Sequence, residues 1–270
     1  MALLVYGKFW LTKESTMKKT NEGSLKDIHV IITGAAGGIG QAITEKFLLE
    51  GADIEAIDSD SERLANMKMI IGSGTNSVCR YYVDITDENL MQRYFSQHTS
   101  LQSANLLVNC AGIESEYESG VSNPLIWRRQ INVNLNATET VTRLFLANAR
   151  KAKITPSVIF ITSVHTALAF KKRAAYDASK HALVGLMRCL ALEGVRANAV
   201  APGGIYPTGM TSHLTPKLLK KLSKRVPMGR FGKPEEIASV VSFLASPAAS
   251  YIHGAEIRVD GGLSIANPFD

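Results

Sequence analysis

Tyr176 and Lys180 stand four residues apart in Tyr-Asp-Ala-Ser-Lys. On a helix that spacing puts both side chains on one face, one turn apart. An ammonium beside a phenol stabilises the phenolate and draws its pKa down from the ordinary value near ~10. A phenol tuned that way can give or take the proton of a carbinol. Taken alone the pattern is common, and a surface tyrosine with a snorkelling lysine explains it at least as well.

A second group of residues could hold a charged ligand. Thr33-Gly34-Ala35-Ala36-Gly37-Gly38-Ile39-Gly40 joins an apolar run to a helical period. Small residues there let the backbone approach a pyrophosphate, whose charge is met by helix N-terminal N–H groups. Gly40 lets the helix pack close to the sheet. A tight turn without a ligand fits the same residues. Asp58 follows about twenty residues on, at the end of the next apolar run, where a carboxylate accepts hydrogen bonds from an adenosine ribose and repels a 2′-phosphate. Ser59 and Asp60 follow it and no Lys or Arg adjoins, so the pattern points to NAD rather than NADP. The same position also suits a helix N-cap.

The elements that must position these groups are legible as alternating periods. Strands are expected at His29–Thr33, Ile54–Ile57, Val78–Val83, Leu106–Asn109, Ser157–Thr162, Val195–Val200 and Glu256–Val259. Helices are expected at Gln41–Glu50, Arg63–Ile70, Leu90–Phe95, Ile131–Ala149, Ala174–Leu192 and Glu235–Leu244. Strands such as His-Val-Ile-Ile-Thr are apolar on both faces, as buried parallel strands are. The fold class is α/β: a single-domain, Rossmann-like doubly wound parallel sheet of about seven strands with helices on both faces. Ligands of such sheets bind outside the carboxyl ends of the strands, at the switch point. The domain is expected over 27–265, between an N-terminal extension (1–26, read as flexible) and a short tail (266–270).

The 270 residues are 46% apolar and 20% charged, enough apolar content to exclude a mainly disordered chain. No uninterrupted apolar run reaches the ~18 residues of a membrane span, and the apolar start Met1–Leu11 is broken by Lys8 and lacks a signal-peptide pattern. Met17 is a second point at which translation could start. The net charge is +6, but the basic residues are scattered (Lys18-Lys19, Lys171-Lys172-Arg173, Lys220-Lys221) and no aromatic series accompanies them. Nucleic acid is therefore not expected as a partner. Cys79, Cys110 and Cys189 form no CxxC pair, so neither a metal site nor a disulfide framework is expected, and free thiols suit a reducing cytoplasm.

The combination of motifs carries more than any one of them. TGAAGGIG, Asp84, Asn109-Cys-Ala-Gly112, Asn134, Ser163, Tyr176-x-x-x-Lys180, Pro202-Gly203 and Val259-Asp-Gly-Gly262 occur in that order, as does Pro227-Met-Gly-Arg-Phe-Gly-Lys-Pro-Glu-Glu-Ile237. Over about 27–263 the chain resembles the short-chain dehydrogenase/reductase family. The resemblance implies an NAD(H)-dependent oxidoreductase interconverting a secondary alcohol and a ketone. Tyr176 is then the general acid/base. Lys180 lowers its pKa and holds the nicotinamide ribose, and Ser163 orients the substrate oxygen. Asn134 holds a water in a proton relay. The implied cofactor contacts are Gly34, Ala36, Gly37, Gly38, Ile39, Gly40, Asp58, Asp84, Ile85, Asn109, Ala111, Gly112, Tyr176, Lys180, Pro202, Gly203, Ile205 and Thr208. It further implies a small-molecule substrate under a lid at 208–226. A homodimer or homotetramer packed through helices around 125–150 and 174–193 is implied as well.

Some positions depart from the family pattern. Cys110 stands where an Asn is usual, Pro207-Thr208 reverses the usual order, and Leu192-Glu193-Gly194-Val195 is about four residues short. The last requires a helix that ends in a tight turn at Gly194. Ser163-Val-His165 resembles glucose-dehydrogenase-like members, while the C-terminal half resembles 3-oxoacyl-carrier-protein reductases, which usually take NADP. His165 is a candidate for the pocket wall. A reading from another class is a cofactor-binding regulatory protein without turnover.

Overall fold

The structure, a computed structural model, describes residues 24–67, 76–98, 103–115 and 123–266. Seven strands form one parallel sheet: β1 (His29–Thr33), β2 (Asp53–Asp58), β3 (Val78–Tyr82), β4 (Leu106–Asn109), β5 (Ser157–Ile161), β6 (Arg196–Pro202) and β7 (Glu256–Val259). Their order is β3-β2-β1-β4-β5-β6-β7. The direction of winding reverses between β1 and β4, which pair in parallel with Thr33 opposite Asn109. That reversal opens a crevice at the carboxyl ends of both strands.

Helices cover both faces. On one side α1 (Gly38–Leu49) and α8 (Pro234–Ala245) bury Ile43, Phe47, Ile237 and Val241 against Val30, Ile32 and Val108. On the other, α3 (Glu88–Gln97), α5 (Thr138–Ala152) and α6 (Ala174–Leu192) bury Met91, Phe145 and Met187 against Ile31, Leu107 and Phe160. Neighbouring residues of a strand thus serve opposite layers, which is why β1 and β4 are apolar throughout. Leu25 is also buried, and its N–H donates to the Glu50 carbonyl (3.0 Å). The ordered core therefore begins before the expected boundary at 27, whereas the rest of the expected N-terminal extension, 1–23, and residues 267–270 lie outside the described residues.

Three expected elements differ. The helix expected at Arg63–Ile70 is α2 (Ser61–Ala65), and 68–70 lie outside the described residues. The single helix expected over Ile131–Ala149 is three segments: α4 (Pro124–Ile131), a π-helical stretch (Asn132–Ala137) and α5. Asn123 starts it, its side chain accepting from Leu125 N–H ahead of Pro124 at the first turn. The π stretch, Asn-Val-Asn-Leu-Asn-Ala, is poor in strong helix formers, which lowers the cost of leaving α geometry. The lid segment 208–226 holds α7 (Pro216–Ser223), which the sequence reading did not resolve from loop although Thr215 caps it.

The shortened connection after α6 closes as its residues require. Gly194 has φ +86°. Its N–H bonds the Ala191 carbonyl (3.1 Å), and Val195 N–H bonds the Leu190 carbonyl (3.0 Å). This Schellman pairing satisfies the helix end and passes the chain into β6, leaving all 19 residues of α6 intact.

Candidate active site

The carboxyl ends of β4 and β5, the π stretch and the first turns of α6 converge on one buried cluster. Tyr176 and Lys180 are 7% and 3% exposed, and the lysine Nζ lies 5.6 Å from the tyrosine ring centroid. The surface-pair reading therefore fails. Lys180 Nζ donates to the Ile161 carbonyl at the end of β5 (2.9 Å). Ser163, two residues on, hydrogen-bonds the Tyr176 phenol through its side chain. A Cβ at Gly112 would lie 3.3 Å from Lys180 Nζ and 3.5 Å from Asn134 Oδ1, so a larger residue would crowd both.

Asn134 is fully buried, and the π stretch aims it across the cluster. Its Oδ1 accepts from Ile113 N–H (2.8 Å), while Nδ2 donates to the Ile113 carbonyl (2.9 Å) and to Ser179 Oγ (3.1 Å). Ser179 in turn donates to the Tyr176 carbonyl (2.7 Å). Both N–H donors of Asn134 are engaged, and one lone pair of Oδ1 remains. The residue is thus first a clamp between the β4 loop and α6.

Burial sets the titration of the cluster. Lys180 is drawn down to about 8, because an ammonium loses its hydration there, with Cys110 and Glu114 opposing weakly. Tyr176 is pushed above its ordinary value, first by burial and then by the Glu114 carboxylate, with the Ser163 hydrogen bond pulling the other way. The expectation that Lys180 brings the phenol toward neutrality is not met in this structure. Spacing placed a cation near the ring but could not show that both groups are desolvated, which penalises the phenolate as well as the ammonium. Cys110, also buried, is raised to about 12 by the same cause.

The glycine turn lines the other side of the crevice. Gly34 has φ +65°, and a Cβ on it would stand 2.7 Å from Ala111 Cα. One on Gly40 would lie 2.1 Å from the Gly34 carbonyl oxygen. Only glycine allows the turn, the β4 end and α1 to meet. The first-turn N–H groups of α1, around Gly38, Ile39 and Gly40, have no partner within the helix and suit an anionic ligand. Asp58 Oδ2 accepts from Ala36 N–H (2.9 Å) and Oδ1 from Asp60 N–H (2.9 Å). It is Asp60, not Asp58, that caps α2. Asp58 keeps lone pairs on both oxygens, so the residues present fit a dinucleotide.

The remaining candidates take varied places. Ile85 is buried, while Asp84 is exposed and its Oδ1 accepts from Thr86 N–H and Oγ1 (2.9 and 2.8 Å). Asn109 donates to Thr142 Oγ1 (3.0 Å), tying β4 to α5, and its buried Oδ1 has no partner among the described residues. Gly203 N–H bonds the Val259 carbonyl (3.0 Å) beyond Pro202, and Ile205 is buried. Thr208 lies against the glycine turn: a Cβ on Gly38 would meet its Cα at 3.0 Å. Several contributors were missed in the sequence. Thr33 Oγ1 accepts from Cys110 and Ala111 N–H (3.2 and 3.3 Å), and Thr211 Oγ1 donates to the Ile205 carbonyl (2.8 Å). Glu114 pairs with Arg173 (3.0 Å), and with Ser115, Met210 and His213 these line a cavity of about 220 Å³. Single Thr or Glu residues in loops carry no periodic signal that would single them out.

Residues 34–264 match the family model described as "Enoyl-(Acyl carrier protein) reductase". The chain belongs to the short-chain dehydrogenase/reductase family. It is 35% identical over 240 residues to 3-oxoacyl-[acyl-carrier-protein] reductase FabG of Thermotoga maritima, covering 87% of this chain and 97% of that one. Galactitol 2-dehydrogenase (L-tagatose-forming) of Cereibacter sphaeroides is 34% identical over 242 residues, covering 87% and 94%. Among solved structures, the Pseudomonas aeruginosa RhlG/NADP active-site complex superposes with a TM-score of 0.79 at 30% identity, over 87% of this chain and 96% of that one. The expected family and fold hold, and with them the assignment of this chain as an oxidoreductase.

The lowered pKa of Lys180 has a consequence for stability. Between about 8 and the ordinary value of 10.5 the unfolded chain holds a proton that the folded one has released, so this group's penalty is relieved as pH rises through that window. Urea midpoints of the wild type and Lys180→Met, compared near neutral pH and near the ordinary lysine pKa, should shift in the wild type's favour at the higher pH. A gap independent of pH contradicts the assignment.

Proposed function

We propose that this chain is an NAD(H)-dependent oxidoreductase interconverting a secondary alcohol and a ketone, with Tyr176 as general acid/base. The observation that carries this reading is the buried Tyr176 phenol hydrogen-bonded to Ser163 in the crevice, beside a buried lysine. In this reading Ser163 directs a hydrogen bond at the substrate oxygen and stabilises its developing charge. Tyr176 Oη gives a proton to that oxygen in reduction and takes it in oxidation. Lys180, tethered to the Ile161 carbonyl, keeps a positive charge near the phenol when protonated. Asn134 is chiefly a positioning residue here, with a single Oδ1 lone pair left for a relay water. The phenol's raised pKa favours its proton-donor form at neutral pH.

A bound dinucleotide supplies the hydride acceptor or donor. Gly34, Ala36, Gly37, Gly38, Ile39 and Gly40 would take its pyrophosphate, and Asp58 its adenosine ribose. Asp84 and Ile85 would meet the adenine. Asn109, Ala111 and Gly112 would underlie its middle, with Pro202, Gly203, Ile205 and Thr208 at the carboxamide. Residues 208–226, whose α7 has no buried residue, would form the lid. NAD is favoured by Asp58. RhlG is seen with NADP, and Arg63, whose Nε pairs with Asp60 (3.2 Å), is the nearest cation in sequence that a 2′-phosphate could recruit.

The free thiols Cys79, Cys110 and Cys189 fit a reducing cytoplasm. Among the described residues no helix is long and apolar enough to cross a membrane. A groove of about 440 Å³ along α4, lined in part by Trp127, Ile131 and Asn136, adjoins the exposed Leu125 and supports self-association through this face.

Three outcomes follow. Tyr176→Phe should bind NADH with wild-type affinity by nicotinamide fluorescence while turnover falls by ~10²-fold or more; near-normal turnover ends the acid/base assignment. Wild-type kcat/KM should favour NAD over NADP by at least ~10-fold, a difference of ~1.4 kcal/mol, and Asp58→Asn should narrow it; a preference for NADP overturns the cofactor choice. Sedimentation should give two or four times the chain mass, and a monomer would count against assembly.

A further inference from the structure

One polar pair beside the reacting phenol has no part in the proposed chemistry. His165 lies in the short 3₁₀ turn Val164–Thr166 directly after Ser163, and Asp177 follows Tyr176 on α6. Their side chains are only 12% and 15% exposed. His165 Nδ1 is hydrogen-bonded to Asp177 Oδ1, and Asp177 Oδ2 accepts from Phe170 N–H (3.2 Å). The imidazole stacks on Phe170 (centroids 4.2 Å apart, 27° between planes) and stands edge-on to Tyr176 (4.9 Å, 86°). His165 N–H also reaches Ser163 Oγ (3.3 Å). The ring is therefore fixed on four sides.

A carboxylate can only accept, so the proton of a neutral imidazole sits on Nδ1 and leaves Nε2 as an acceptor. Nε2 makes no hydrogen bond among the described residues. It lies across the ring from Asp177, on a ring packed against Tyr176 and on a turn bonded to Ser163. Those are the two residues assigned to the substrate oxygen. Packing alone gives no reason to desolvate a carboxylate to orient this ring, since an apolar side chain would fill the space without that cost. The neighbouring cavity is also polar, with the Glu114–Arg173 pair and His213 in its wall, and its volume of about 220 Å³ suits a small ligand better than a long acyl chain.

We propose that His165, held by Asp177, is a specificity-determining residue that accepts a hydrogen bond from a second substrate hydroxyl, on the carbon beside the reacting carbinol. The substrate class is then a small vicinal diol or polyol, and its product an α-hydroxy ketone. The reaction balances as two electrons and a proton leaving the carbinol as hydride, to oxidised NAD, with the hydroxyl proton passing to Tyr176. The second hydroxyl is only bound. This rests on the dehydrogenase reading above. Asp177 touches no substrate and acts through His165.

The test compares cyclohexane-1,2-diol with cyclohexanol as substrates, with NAD. Wild-type kcat/KM should favour the diol at least ~10-fold, about the worth of one well-made hydrogen bond to a buried group. His165→Leu should bring the ratio to within about threefold of one, and His165→Gln should restore part of it. Asp177→Asn should raise the diol KM more than it lowers kcat, which mere loosening of α6 would not do. NADH affinity of each variant, read by fluorescence, reports whether the fold survives. A diol preference that persists in His165→Leu with NADH affinity intact overturns the proposal, as does a wild type that prefers cyclohexanol. A wild type that binds NADH but oxidises neither probe, nor any of a panel of secondary alcohols, removes the dehydrogenase reading itself.

Discussion

A buried ammonium held by a main-chain carbonyl organises this molecule's chemistry. Lys180 has no carboxylate within salt-bridge distance among the described residues and finds its hydrogen bond on Ile161, where β5 ends. A cation in that position is stable only if the sheet, α6 and the β4 loop are all fixed around it. Gly112 must lack a side chain to leave it room, and Asn134 must hold Ile113 so that the loop does not shift. The same burial that lowers the lysine raises the tyrosine. The two groups are thereby brought closer in proton affinity than their ordinary values, although Tyr176 moves in the direction opposite to the one its spacing suggested.

The crevice itself is a product of close backbone approach. At the point where the sheet reverses, the turn after β1, the end of β4 and the start of α1 come within contact distance, and Gly34 and Gly40 are the residues that permit it. Thr33 locks the approach by accepting from two successive N–H groups after β4. Asp58 anchors the turn from β2 through Ala36. Binding surface and sheet geometry are here the same set of hydrogen bonds.

How much of this was legible depends on whether a feature is local. The strands were readable because both sheet faces are covered, so His29–Thr33 and Leu106–Asn109 had to be apolar throughout. The Gly194 turn was readable because a missing stretch leaves few ways to end a helix. Tyr176, Lys180, Ser163 and Asn134 were found because their spacing is fixed by one helix and by the ends of β4 and β5. What was hidden needed three dimensions. Burial reversed the expected shift of Tyr176. Asn109 turned out to tie β4 to α5, Glu114 met Arg173, and Asp177 met His165 from a separate turn. α7 was hidden for a different reason: its eight residues are short and polar, and it buries nothing, so no apolar stripe announced it.

The π-helical stretch sets a limit of another kind. A π turn holds more residues than an α turn, so Asn132–Ala137 works as a spacer whose residue count sets the rotational phase of everything after it. With ~3.6 residues per α turn, losing one residue there would rotate α5 by about 100° and carry Val141 and Phe145 off the sheet. Exchanges of side chain within the stretch leave that phase alone. Lineages of this protein can therefore vary the stretch in composition far more readily than in length, and insertions or deletions should collect elsewhere.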